Sequence, residues 1–386
     1  MQVFLDDGTI LFADAWALTR VDPKGKVKNL PELFAAPIYP LSCAGTPPSV
    51  LTRGKYSYQA KRLDAATLKP IPAHGATPDY ALEDGHFIAS GRVVSARGSH
   101  ALSLADPRDT PDATVRFGER GTHRCIPLRA RDGVLARFLY TNVGTPLCLY
   151  DLRAEGYPLT LEVDVHAPTL SVLDAFPDRD GVTISCWFLH ESRATIARVD
   201  RSGRETAHVD VAAITLPVID GARVVSQPDA RTVRSTPLDG SAPTDFSIEA
   251  ISREADARAK APAPRDNVGP GMVLADRGRT LFVPWHGETL LDLDRKLFID
   301  RKLPAKHAAL RASITAYCRD HRDALLRDGY ERPASVHESK GRVGLTFWRV
   351  PHVPTGVAPL ADALASLAQA IPAQTGLSVG SFGSQG

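Results

Sequence analysis

The stretch Asp180-Gly181-Val-Thr-Ile-Ser-Cys-Trp187, followed by His190-Glu-Ser-Arg193 and then by Ile196-Ala-Arg-Val-Asp200-Arg-Ser-Gly203, holds the two turns and two inner strands of one structural unit. Asp-Gly opens a run of β-formers, and Asp-Gly between such runs is a strong short-range hairpin signal. The second apolar run ends in an aspartate followed by turn formers. An Asp side chain there can accept hydrogen bonds from the backbone two residues on. The unit therefore reads as strand a, Gly turn, strand b, short loop, strand c, Asp turn, strand d.

Both marks recur along the chain. Apolar segments end in Asp22, Asp64, Asp106, Asp151, Asp200, Asp239 and Asp294, at intervals of 42, 42, 45, 49, 39 and 55 residues. The Gly turns are Asp7-Gly8, Asp84-Gly85, Asp132-Gly133, Asp180-Gly181, Asp220-Gly221 and the looser Asp276-Arg-Gly278; the second unit lacks one. Four antiparallel strands in about 40–50 residues is the size of a propeller blade. A β-solenoid has far shorter turns. One miscounted copy would make the ring six- or eight-bladed.

The pattern resembles the broad class of WD40-like and YVTN-like seven-bladed β-propellers, over roughly residues 1–304. The resemblance is architectural. There is no Gly-His…Trp-Asp signature and no kelch double glycine, so no residue role is carried across. It implies an all-β fold, a seven-bladed β-propeller of four-stranded antiparallel blades, with a small α+β C-terminal extension.

Two regions interrupt the repeat. Residues 252–270 have almost no apolar bulk and read as a mobile loop, since so little burial cannot offset ordering entropy. Beyond the outer strand Lys296–Leu303, residues 305–386 form the extension. Leu310, Ile314, Tyr317, Cys318, His321 and Leu325 fall on one face of a helix over Ala305–Asp328. Val343–Val350 reads as a strand that either completes the first or last blade or belongs to a separate hairpin. Leu360, Leu364, Leu367 and Ile371 mark a second helix, and the last Gly/Ser-rich residues read as a flexible tail.

Charge is nearly balanced, 46 basic against 44 acidic residues. Bulk attraction to nucleic acid or anionic membrane is therefore not expected. The start, with Asp6 and Asp7, is not a secretion signal, and no apolar run is long enough for a spanning helix. Five cysteines at irregular spacing, with no CxxC, point to reduced thiols in the cytoplasm rather than to zinc. The Ala- and Arg-rich, Lys-poor composition suggests a bacterium.

In this blade pattern the b–c and d–a loops share one end of the ring and the Gly and Asp turns share the other. The b–c loops carry Trp16, Tyr56, Arg97, His100, His190, Arg193, Arg231, Trp285 and His286. Aromatic and arginine side chains dominate binding energy at interfaces, and loops on a rigid scaffold are where function sits. This end is the candidate binding face, and the turn end is structural. The expectation is a cytoplasmic interaction scaffold that binds a protein partner, with no cofactor and no metal. The alternative is a lyase-, lactonase- or hydrolase-type propeller acting on a small molecule at the axis, with His190, Glu191, His286 and Glu288 as acid/base groups. Those spacings are not a ligand motif, and no GxSxG, HExxH, P-loop or GxGxxG occurs.

Overall fold

A computed structural model describes residues 2–4, 7–13, 18–30, 38–41, 49–53, 60–64, 67–69, 80–81, 86–89, 92–95, 101–103, 123–125, 128–139, 145–166, 171–188, 191–258, 271–276, 278–284, 289–301, 316–317, 320, 321, 323, 325, 330–339, 342–349 and 378–385. Strands dominate these residues. They form successive antiparallel meanders with neighbouring strands hydrogen-bonded in sequence order.

The chain divides into two compact units, one of Met1–Pro37, Ser247–Leu274 and Arg279–Gly386, the other of Ile38–Phe246 and Ala275–Gly278. In the second unit the clearest meander comprises Ser171–Asp178, Gly181–Phe188, Arg193–Asp200 and Glu205–Ala212. Before it come a meander from Leu128 to Val165 and, earlier still, the strands from Ile38 to Asp64 and from Tyr80 to Ser103. After it comes Val218–Ser247. Sheets stack because their strands carry apolar side chains on both faces. Val134, Ala136, Phe138, Leu147 and Leu149 pack on Leu173, Ala175, Val182, Ile184 and Val199 of the next sheet. The opposite face of that sheet, through Val172, Trp187, Ala194 and Ile196, packs on Ile219 and Val224. Each such Val or Leu contributes roughly 1.5–3 kcal/mol on burial.

The first unit joins the two ends of the strand series. Its first sheet comprises Gln2–Phe4, Ile10–Ala13, Leu18–Val21 and Val27–Leu30. Another comprises Gly271–Asp276, Arg279–Pro284, Thr289–Asp292 and Leu297–Asp300. Ile10, Phe12 and Val21 share a core with Leu274, Leu281, Val283, Leu290 and Ile299. Four-stranded meanders stacked face to face, with the first packed on one near residue 300, make the fold that of a β-propeller.

Four observations revise the sequence reading. Part of the presumed mobile loop is helix α1, Ile248–Arg258. Its apolar residues are few but well placed, because Ile248, Ile251 and Ala255 share one buried stripe. Ser247 caps it, its Oγ accepting from Ala250 N at 3.2 Å, and the pairs Glu249–Arg253 and Glu254–Arg258 run along it. Residues 259–270 lie outside the described residues.

Second, a fifth strand, His123–Cys125, lies parallel beside Ser171–Leu173. Third, Ser378–Gln385, read as tail, is a strand. It forms a separate three-stranded sheet with Tyr330–Ser339 and Arg342–Arg349, rather than completing a blade.

Fourth, the helix expected over Ala305–Asp328 is described only in part. Ala316, Tyr317, Asp320, Asp323 and Leu325 are helical, with Tyr317 and Leu325 buried. His321, placed on the apolar face by periodicity, is exposed, and its ring stacks on Tyr317 at 4.4 Å. The second expected helix, around Leu360–Ile371, lies outside the described residues.

Candidate functional site

In their turns the aspartates behave as their sequence context demands. Asp22 Oδ1 accepts from Lys24 N and Lys26 N at 2.9 and 2.8 Å. Asp64 accepts from Thr67 N, Asp151 from Arg153 N, Asp200 from Ser202 N, and Asp239 from Ser241 N, at 2.6 to 2.9 Å. Each of them sits in the turn that ends a third strand. Asp106 lies outside the described residues. Asp294 departs from the set: its Oδ2 accepts from Thr280 N at 2.6 Å, while Asp292 Oδ1 takes the turn's own N–H, from Arg295, at 3.0 Å. The strand mark in that sheet is therefore Asp292.

Arginines brace turns of the same kind. The Arg198 guanidinium grips Asp178 through both oxygens at 2.5 and 2.6 Å. Arg223 donates to Asp220 from Nε and Nη2 at 2.8 and 2.5 Å, and Gly278 N reaches the same oxygen at 3.1 Å. Arg131 pairs with Asp276 at 3.4 Å, and Arg279 with the buried Asp292 at 3.3 Å. Burial raises the Asp178 carboxyl, but the Arg198 pair and the N–H groups of Asp180 and Gly181 outweigh it and hold the carboxyl below its usual value. These charges are engaged within the protein, pairing with its own aspartates.

Two of the b–c loops are described. Glu191 and Ser192 turn the chain between Phe188 and Arg193, with Glu191 N donating to Phe188 O at 3.3 Å and Ser192 in the left-handed region at φ 49°. Phe188 and Arg193 are cross-strand partners. The register sets the Arg193 guanidinium 4.0 Å over the Phe188 ring, and Nε donates to Glu191 at 2.5 Å. Ala213 N donates to Ser192 O at 2.7 Å and fixes the loop from the far side. In the next sheet Asp229 Oδ1 accepts from Arg231 N at 2.7 Å, and the Arg231 side chain is exposed.

Of the residues singled out in the sequence, Glu191, Arg193 and Arg231 are thus placed, the first two in direct contact. Trp16, Tyr56, Arg97, His100, His190, Trp285, His286 and Glu288 lie outside the described residues. Phe188 is the residue that sequence reasoning missed. Its signal was its place opposite Arg193 across a short loop, where a cation and an aromatic ring meet. Trp187 is buried between sheets, its Nε1 donating to Ala213 O at 2.8 Å.

Cys148 and Cys186 are free thiols. Burial pushes the Cys186 thiol up, against the Ser171 hydroxyl and the Arg193 charge, which pull it down. That is the state of an inert structural cysteine. Among the described residues no group of three His, Cys, Asp or Glu side chains is placed to hold a metal ion. No helix among them is long and apolar enough to cross a membrane.

No family model and no curated protein matches the chain. Similar solved structures are distant. Virginiamycin B lyase from Staphylococcus aureus is 12% identical, with 73% of this chain and 89% of that chain covered and a TM-score of 0.37. Hsv2 from Kluyveromyces marxianus is 10% identical, with 77% and 94% covered and a TM-score of 0.39. PorZ, a bacterial surface component of the type-IX secretion system of Porphyromonas gingivalis, is 12% identical at a TM-score of 0.32; 79% of this chain is covered, but only 46% of PorZ. None aligns closely enough to bring a site residue across.

Proposed function

We propose that the chain is a cytoplasmic interaction scaffold, a seven-bladed propeller over residues 1–304 with residues 305–386 as an addition, which binds a protein partner through the b–c/d–a loop face. One observation carries this reading: the exposed loop at Glu191–Arg193, where Arg193 is held between an aromatic ring and a carboxylate. Arginine held rigidly loses little freedom on binding, which is why such side chains serve as interface anchors. Arg231 adds a second exposed guanidinium on the neighbouring sheet. The contrast with the turn end supports the assignment, since Arg198, Arg223 and Arg279 are committed to internal aspartates.

The test is partner capture by the full chain and by three variants. Arg193→Glu and Arg231→Glu are each expected to weaken capture of a stoichiometric partner at least about tenfold, whereas Ser241→Glu on the turn end leaves it unchanged. Capture that survives both arginine substitutions would remove the b–c loops from the interface.

A further inference from the structure

The three-stranded sheet near the C-terminus holds its two outer strands very differently. Arg342–Arg349 is central. On one side it pairs antiparallel with Tyr330–Ser339, and only residues 340 and 341 separate the two strands. On the other it pairs parallel with Ser378–Gln385, and residues 350–377 lie between them. Parallel pairing is the weaker per residue, and the longer connection makes closure entropically dearer.

The composition of the parallel strand weakens it further. Ser378-Val-Gly-Ser-Phe-Gly-Ser-Gln385 has two apolar residues, Val379 and Phe382, in register with Val343 and Leu345. Glycines in a strand interior loosen it, and this strand has two. One of them, Gly380, has no register partner, because the pairing skips from Val379 to Ser381. The central strand is by contrast rich in β-formers, Val343, Leu345, Thr346, Phe347 and Trp348.

We infer that Ser378–Gln385 is a detachable strap: it opens while the hairpin Tyr330–Arg349 stays folded, and the exposed edge of Arg342–Arg349 then takes an extended segment of a protein partner by strand addition. An open edge presents a row of unpaired N–H and C=O groups, which only another strand satisfies in full. The segment it fits is a short extended peptide with apolar residues at the places of Val379 and Phe382. Local opening of this kind draws on the least stable elements of a fold.

Hydrogen exchange on the full chain tests the opening. Amides of residues 379–385 should exchange at least about 100-fold faster than those hairpin amides that face the Tyr330–Ser339/Arg342–Arg349 pairing. Equal protection overturns the inference. Strand addition is tested with a labelled peptide of residues 377–386 and the double substitution Thr346→Cys, Gly383→Cys, which lie in register. The peptide should bind the parent chain and the reduced double variant, and lose at least about tenfold in affinity for the oxidised, locked form. Binding that is indifferent to the lock, or no binding to the parent chain, overturns it.

Discussion

The guanidinium of Arg301 lies 5.1 Å above the ring of Phe12, although nearly the whole strand series separates them in sequence. Arg301 is fully buried, and its Nη2 donates to Thr19 Oγ1 at 2.6 Å. Thr19 in turn donates to Asn29 Oδ1 at 3.1 Å, and the Asn29 amide donates back to the Arg301 carbonyl. Three residues thus close a hydrogen-bonded circuit between the first sheet and the end of the one near residue 300. Arg295 Nη1 to Pro23 O at 2.5 Å and Arg279 Nη1 to Gly8 O at 3.2 Å support it. Arg301→Ala is expected to destabilise the chain by about 3 kcal/mol, and Thr19→Val by about 1–2 kcal/mol, in urea unfolding. The two effects should fall short of adding in the double variant, because both act on one circuit.

Gly181 and Gly221 follow aspartates in the same Asp-Gly mark, yet their backbones differ. A Cβ on Gly181, at φ 151°, would stand 2.0 Å from the Val199 carbonyl oxygen, whereas one on Gly221, at φ 59°, meets nothing within 4 Å. Gly221→Ala should cost about 1–2 kcal/mol, the strain of a left-handed alanine alone. Gly181→Ala should cost about 3 kcal/mol or more, since backbone must move to admit the methyl group. Thermal unfolding of the two variants side by side checks the order.

Acid should weaken the fold through the braced turns. Asp178, Asp200 and Asp239 all have carboxyls held below their usual value in the folded state, Asp178 chiefly by Arg198 against the cost of burial, Asp200 by the Ser202 hydroxyl and the N–H of Arg204, and Asp239 by Ser241. A lowered folded pKa gives stability that is present above the unfolded value, about 3.9, and is lost as pH falls through the folded one. Unfolding midpoints should therefore drop below about pH 4. Asp178→Asn should lower stability at neutral pH and flatten that acid slope. An unchanged slope would show that the Arg198 pair is not a source of it.

Trp187→Phe should cost about 1–2 kcal/mol, because the Ala213 carbonyl loses its buried donor. In a variant that keeps Trp187 and carries Trp16→Phe, Trp285→Phe and Trp348→Phe, fluorescence would also report whether the two flanking sheets separate before global unfolding.

The repeat was legible because its two marks are local. An aspartate at a strand end and a glycine after a turn act on the backbone within a few residues, so Asp22, Asp64, Asp151, Asp200 and Asp239 all took their expected places. The mark slipped at Leu290-Leu-Asp-Leu-Asp294, where two aspartates alternate and only register, Asp292 opposite Leu297, decides which one turns the chain. Helix α1 was hidden because three small contacts, at Ile248, Ile251 and Ala255, suffice when a neighbouring strand supplies the other side. The tail strand was hidden for a related reason: Ser378–Gln385 has little propensity of its own, and its pairing comes from Arg342–Arg349. At the candidate face, Arg193 was visible as a residue type, but its posture depends on Phe188 across the hairpin.

The packing of the first sheet on one near residue 300 sets an order of events during synthesis. Ile10, Phe12 and Val21 leave the ribosome long before Leu281, Val283 and Leu290 exist to cover them. Arg301 follows Thr19 by 282 residues, which at about 5–20 residues per second is roughly 15–55 s. Middle sheets can stack on their predecessors as they emerge, but the earliest one must wait, uncovered, for the latest. That interval leaves the apolar side chains of Ile10, Phe12 and Val21 without their later core partners, and so open to misassembly, until Leu281, Val283 and Leu290 emerge.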